Sequence, residues 1–130
     1  MGFGPDVKSV EQSDGSTTIS ITAGATVYTK AYPLRYGAYF AVAYKAASAG
    51  AIDLTIQIEQ SWTLPATEGA SDPNYVIPES MADIATNLAD ANWHNNSISP
   101  VAMPYIRFKI TSAAGVTNTL QIKLSIQESL

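Results

Sequence analysis

Between Ile52 and Trp62 the chain reads IDLTIQIEQSW, with its apolar residues on every second position. Ile52, Leu54, Ile56 and Ile58 share one side of an extended backbone, and Asp53, Thr55, Gln57 and Glu59 share the other, because successive side chains of a strand point to opposite faces. This stretch is predicted to be a strand with one face in a core and the other in water. Two similar phrases follow near the C-terminus. Ile106, Phe108 and Ile110 alternate with Arg107, Lys109 and Thr111, and Leu120, Ile122, Leu124 and Ile126 alternate with Gln121, Lys123, Ser125 and Gln127. Three half-buried strands in one chain point to an all-β fold of antiparallel sheets.

The remaining segments are read against those three. Met1 to Ser16 is poor in core-forming side chains and rich in punctuation, and reads as an N-terminal arm (1–16) ahead of a single β-sandwich domain (17–130). The arm is expected to order by reaching onto a neighbour. Ser13-Asp14-Gly15-Ser16 is turn chemistry, with Gly15 free to take positive φ. Thr17 to Thr22 and Thr26 to Lys30 are short strands joined across Ala23-Gly24-Ala25 as a hairpin or a corner. Arg35 to Ala47 is a strand by its Tyr, Phe and Val content, although its alanines also suit a helix. It is expected to pair with the Ile52 strand as an antiparallel hairpin.

Trp62 to Pro104 departs from the two-residue period and carries five of the chain's seven prolines. A structureless excursion of this length usually carries function or packs on something. Glu79 to Leu88 within it suits a short helix, with Ser80 as N-cap and Met81, Ile84, Ala85 and Leu88 at helical spacing. Tyr75 to Ile77 suits a short edge strand. The whole reads as a two-sheet antiparallel sandwich, jelly-roll or immunoglobulin-like, with a long irregular excursion that holds one short helix.

Composition narrows the functional classes. The chain has 130 residues, enough for one core, and only 14% are charged against roughly 25% in typical soluble domains. Such a surface suits contact with other protein. A formal charge of −4, with 7 basic residues and no cluster among them, speaks against tracking a nucleic-acid backbone. No cysteine is present, so disulfides and thiolate chemistry are excluded. No apolar run approaches the roughly 20 residues of a spanning helix, and the N-terminus has no secretory pattern, so the chain is expected to be made in the cytoplasm and to stay soluble, with no membrane partner.

Single residues add candidates without completing a reaction. His94 is the only histidine, and no G-x-S-x-G elbow accompanies it. With Asp90 or Asp83 it makes at best a partial metal set, so it reads as a loop histidine fixing backbone. Asp53, Glu59, Glu68, Asp72, Glu79, Asp83 and Asp90 supply carboxylates, but nothing in their spacing singles out a pair, and Asp53 and Glu59 fall on the wet side of a strand. Asn95-Asn96-Ser97 matches a glycosylation acceptor that a chain without a secretory signal leaves unused. The candidate ligand or partner contacts are Trp62, Tyr75, Trp93 and His94. The flat aromatic faces among them would suit a sugar.

The order of phrases AIDLTIQIEQSW, an acidic Pro-rich excursion, WHNNSISPVAMPYIRFKIT and NTLQIKLSIQE resembles small β-sandwich proteins of bacteriophage virions, the head decoration or cement proteins and related head and tail accessory modules. The similarity runs over roughly Gly37 to Glu128, with Pro104 to Thr111 matching the phrase that leads into the family's penultimate strand. The resemblance implies a non-enzymatic structural subunit of the virion without cofactor or active site. It also implies attachment to the major capsid protein or another virion protein, and a homo-oligomer, with a trimer favoured. Two other classes stand beside it: a carbohydrate-binding sandwich using Trp62, Trp93 or Tyr75, and a hydrolase with its site in the excursion.

Overall fold

The computed structural model describes residues 6–34, 39–79, 81–98 and 103–127. Ten strands lie in two antiparallel sheets, and no helix occurs among the described residues. In the first sheet β1 (Asp6–Ser9) and β2 (Ile19–Ile21) lie end to end along β10 (Asn118–Gln127), followed by β5 (Tyr39–Ser48) and β8 (His94–Ile98). In the second, β3 (Thr26–Tyr28) and β4 (Tyr32–Pro33) both pair with β9 (Tyr105–Ser112), followed by β6 (Leu54–Ser61) and β7 (Ala85–Leu88). The last two strands are thus inserted between earlier ones, and most links pass from sheet to sheet. That order is a jelly roll rather than an immunoglobulin-like sandwich.

The two-residue period becomes a core in the expected way. Phe40, Val42, Tyr44 and Ala46 of β5 and Leu120, Ile122 and Leu124 of β10 point inward from one sheet, and Leu54, Ile56 and Ile58 of β6 and Ile106, Phe108 and Ile110 of β9 from the other. Two such faces must meet across the roughly 10 Å that separates packed sheets. For this reason β5 and β6 do not form the expected hairpin. They enter opposite sheets, and Ala49–Asp53 turns the corner between them. The side chain of buried Asn118 holds that corner by donating to Ala51 O (3.0 Å) and accepting from Asp53 N (3.1 Å). The Thr17–Lys30 pair is likewise a corner, with β2 on β10 and β3 on β9.

Three further expectations change. The helix over Glu79–Leu88 is replaced by β7, which pairs with β6, while Ser80 lies outside the described residues. Its helical spacing arises from a bulge: Leu54 faces Leu88 but Ile56 faces Ala85, so three steps on β7 match two on β6. Asn87 absorbs the extra residue at φ 50°, and Ala85 and Leu88 both face inward. Tyr75–Ile77 contributes a single bridge, Val76 to Gln60, rather than a strand. Of the segment read as an arm reaching a neighbour, Asp6–Ser9 pairs along β10 of its own sheet and Val10 is fully buried, its N–H donating to Ile122 O at 2.8 Å. Gly15 takes φ 90° in the turn expected of it.

Candidate functional site

The β6–β7 loop, residues 62–84, starts where β6 leaves the sandwich and folds back over the outer face of the second sheet. Its anchor is Arg107. By parity Arg107 on β9 and Glu59 on β6 belong to the wet face, and the register sets them directly opposite each other. They are not wet: Arg107 is 0% exposed and Glu59 is 7% exposed. Arg107 Nε donates to Glu59 Oε1 at 2.8 Å and Nη1 donates to Ala70 O of the loop at 2.8 Å. The guanidinium lies 4.5 Å from the ring centroids of both Tyr28 and Tyr75, a double cation–π contact in a site shielded from water. The reading of Glu59 as an ordinary solubilising charge is therefore corrected: the loop covers the ion pair and the ion pair holds the loop.

Secondary contacts fix the loop's shape. The hydroxyl of Tyr75 donates to Thr63 O at 2.6 Å, and burial pushes its pKa above the usual tyrosine value. Asp72 accepts from Asn74 N (2.9 Å) and Ala66 N (3.1 Å), and these bonds hold its carboxyl below the ordinary 3.8. Gly69, at φ 78°, passes so close to the N-terminal turn that a Cβ there would stand 2.8 Å from Ser13 Cβ. Only glycine fits both the backbone and the gap.

What this loop presents outward is apolar. Trp62 is 61% exposed, Leu64 57% and Val76 56%. The Gln60–Val76 bridge and the Tyr75–Thr63 bond bring Val76 alongside Trp62 and Leu64. Exposed Met103 stands just ahead of Tyr105, which faces Ser61 at the same end. Large apolar side chains gathered on one exposed patch, rather than scattered singly, mark an interaction surface. The loop carries Glu68, Asp72, Glu79 and Asp83 and no Lys or Arg, which accounts for the whole formal charge of −4 and leaves seven acids against seven bases elsewhere.

The other candidates lie apart. Trp93, also exposed, and His94 follow the loop that leaves β7 at Leu88, the register partner of Leu54, whereas Trp62 follows Ser61 at the opposite end of β6. Eight strand residues separate those ends by about 26 Å, so the two tryptophans do not form one stacking platform. Tyr75 is buried under the loop and offers no face to a ligand. His94 stacks on Tyr44 (5.3 Å between centroids, 16° between planes), and its Nε2 lies 2.8 Å from Asp90 Oδ1. Among the described residues no group of three or more His, Asp or Glu is placed to hold a metal. A groove of about 460 Å³ runs between Pro78–Ile84 and β8, and Asn96 Nδ2 donates across it to Ile84 O at 2.7 Å.

The hydrogen bond from His94 and that from Asn92 N hold the Asp90 carboxyl below 3.8. A carboxylate whose folded pKa is depressed stabilises the fold above its unfolded value, and that contribution is lost as pH falls through the folded value. NMR titration of the Asp90 carboxyl carbon should give a midpoint below 3.8 that returns towards it in His94→Ala. An unchanged midpoint in the variant would remove the His94 contact as the cause.

No protein-family model matches this sequence, and no curated protein matches it. Solved structures do resemble its fold, and viral capsid chains are among them. A chain of infectious bursal disease virus, Gx strain, is 12% identical at a TM-score of 0.53, and one of the Gt strain is 13% identical at 0.50. Each likeness takes in 95% of this chain, which spans only 33% and 32% of the length of the two. A looser likeness, TM-score 0.47 at 15% identity, takes in all of this chain and 25% of a Clostridium thermocellum endo-1,4-beta-D-xylanase chain complexed with xylohexaose. At these identities the likeness concerns the fold.

Proposed function

We propose that this chain is a non-enzymatic structural protein of a virion, a capsid decoration or cement subunit working through protein–protein contacts. Its partners in this reading are the major capsid protein or another virion protein, and further copies of itself, as a homo-oligomer in which a trimer is favoured. The single observation that carries it is the exposed patch of Trp62, Leu64 and Val76, set on a loop that Arg107 clamps from beneath. A loop held in one shape loses little conformational freedom on binding, so its apolar area can go into affinity rather than into ordering. The jelly roll it shares with viral capsid chains is compatible with that role and supplies no partner by itself.

The test is recovery with particles. Virions purified from a producing culture should contain this chain in fixed ratio to the major capsid protein, and stripped particles should take it up again. Recovery in the soluble fraction alone, together with saturable binding to a free oligosaccharide that Trp62→Ala abolishes, would replace this reading with the carbohydrate-binding one.

A further inference from the structure

An edge strand presents unpaired N–H and C=O groups, and natural sheets blunt such edges by shortness, charge, proline or a bulge. Most edges here are blunted. β2, β3 and β4 have three residues or fewer, β4 ends in Pro33, β1 carries Asp6 and Lys8, and β7 is bulged at Asn87. β8 has none of these devices. Its five residues, HNNSI, keep an unbroken register on β5 from Tyr44–His94 to Phe40–Ile98, and among the described residues its other edge makes no backbone hydrogen bond.

The groove beside β8 follows that edge. Asn96, Ser97 and Ile98 all line it, and consecutive strand residues point to opposite faces, so only a groove that runs along the backbone meets all three. The opposite wall belongs to segment 78–84, where Pro78, Met81 and Ile84 are apolar and Glu79 is acidic. On the core side the walls are tied together, since Asn96 Nδ2 and Tyr44 Oη both donate to Ile84 O, at 2.7 and 3.3 Å. The space left beside the edge is outward.

We infer that this groove takes an extended segment of a different protein, added to the first sheet as a further strand beside β8. Only an extended backbone answers alternate N–H and C=O groups along an edge, at the spacing of about 4.8 Å between neighbouring strands. Side chains on one side of that segment face Pro78, Met81, Ile84 and Ile98, so they are apolar. Glu79 supplies the charge preference. Its carboxylate is exposed and makes no hydrogen bond or ion pair among the described residues, and no described residue of the lining is Lys or Arg. Asp83, the other acid of the lining, is already held by Gln57 Nε2 and Thr86 Oγ1, at 3.0 and 2.9 Å. The segment therefore carries a Lys or Arg two residues from an apolar side chain, on the same side of its backbone. The β8 strand of a second copy brings no such base. The inference uses neither the Trp62 patch nor a place in a virion, and it stands apart from the proposed function.

End-blocked octapeptides test it. In each, threonine alternates with valine, and one central valine is replaced by lysine or, in the comparison peptide, by glutamate. Added to the isotope-labelled chain, the lysine peptide should bind saturably, shift the amide signals of His94 to Ile98 and slow hydrogen exchange at alternate residues of β8. The glutamate peptide should bind at least about tenfold more weakly, and Glu79→Lys, a substitution at an exposed position, should reverse the order. Circular dichroism checks that the variant folds. N-methylation of alternate peptide amides should abolish binding when it falls on the paired edge and spare it on the other. Absent binding, equal binding of the two peptides to both chains, or tolerance of N-methylation on either edge overturns the inference. So does protection of the β8 amides that grows with protein concentration and needs no peptide, which would assign the edge to a second copy.

Discussion

Arg107→Ala should cost the fold about 3–5 kcal/mol, the range for removing one partner of a buried ion pair, because Glu59 would be left desolvated and uncompensated. The loss extends beyond the pair. Arg107 also fills the space between Tyr28 and Tyr75 and donates to Ala70 O, so the variant should release the β6–β7 loop as well as lower the urea midpoint. Limited proteolysis should then cut within residues 62–84 while the sheets stay protected. Replacing both charges, Glu59→Leu with Arg107→Leu, should cost less than Arg107→Ala, since no orphaned carboxylate remains. A single variant within about 1 kcal/mol of the parent, with the loop still protected, would mean that the clamp contributes nothing.

Ile110→Asp should be comparably severe, at about 4 kcal/mol or more, and should unfold much of the population at ambient temperature. Ile110 is 0% exposed, flanked by Val27 on β3 and Ile56 on β6, with the first sheet's apolar face across from it. A carboxylate there has no partner and must be either desolvated or protonated. Thr111→Asp, one residue along and on the outer face between Thr26 and Thr55, should cost under about 1 kcal/mol, the span of strand propensity. Chemical denaturation of the two variants reads the contrast directly. Equal costs would place both side chains in similar surroundings and contradict the inward and outward assignment of β9.

The two-residue alternation in residues 52–62, 105–111 and 118–127 was sufficient to locate β6, β9 and β10 and their inner faces, because pleating converts sequence parity into sidedness wherever one face is buried. The turn at Gly15 was legible for a similarly local reason, since the residue type carries the backbone freedom. Exposed Trp62 stood out in the sequence as a candidate contact, and the structure leaves it exposed. Alternation does not say which strand lies beside which. β5 and β6, five residues apart, take partners such as β10 and β9 from much further along the chain, because their apolar faces have to meet each other across the sandwich. Nor does it separate a helix from a bulged strand over Ala85–Leu88, where one left-handed residue, Asn87, imitates helical spacing. The arm could not be recognised as β1, since its partner on β10 lies more than a hundred residues away. The candidate site was hidden for the same reason. Glu59 and Arg107 carry a wet-face pattern, and they are buried only because a distant loop brings Ala70 and Tyr75 over them. Local sequence decides which side of a strand is apolar, whereas burial of the other side depends on what the rest of the chain lays across it.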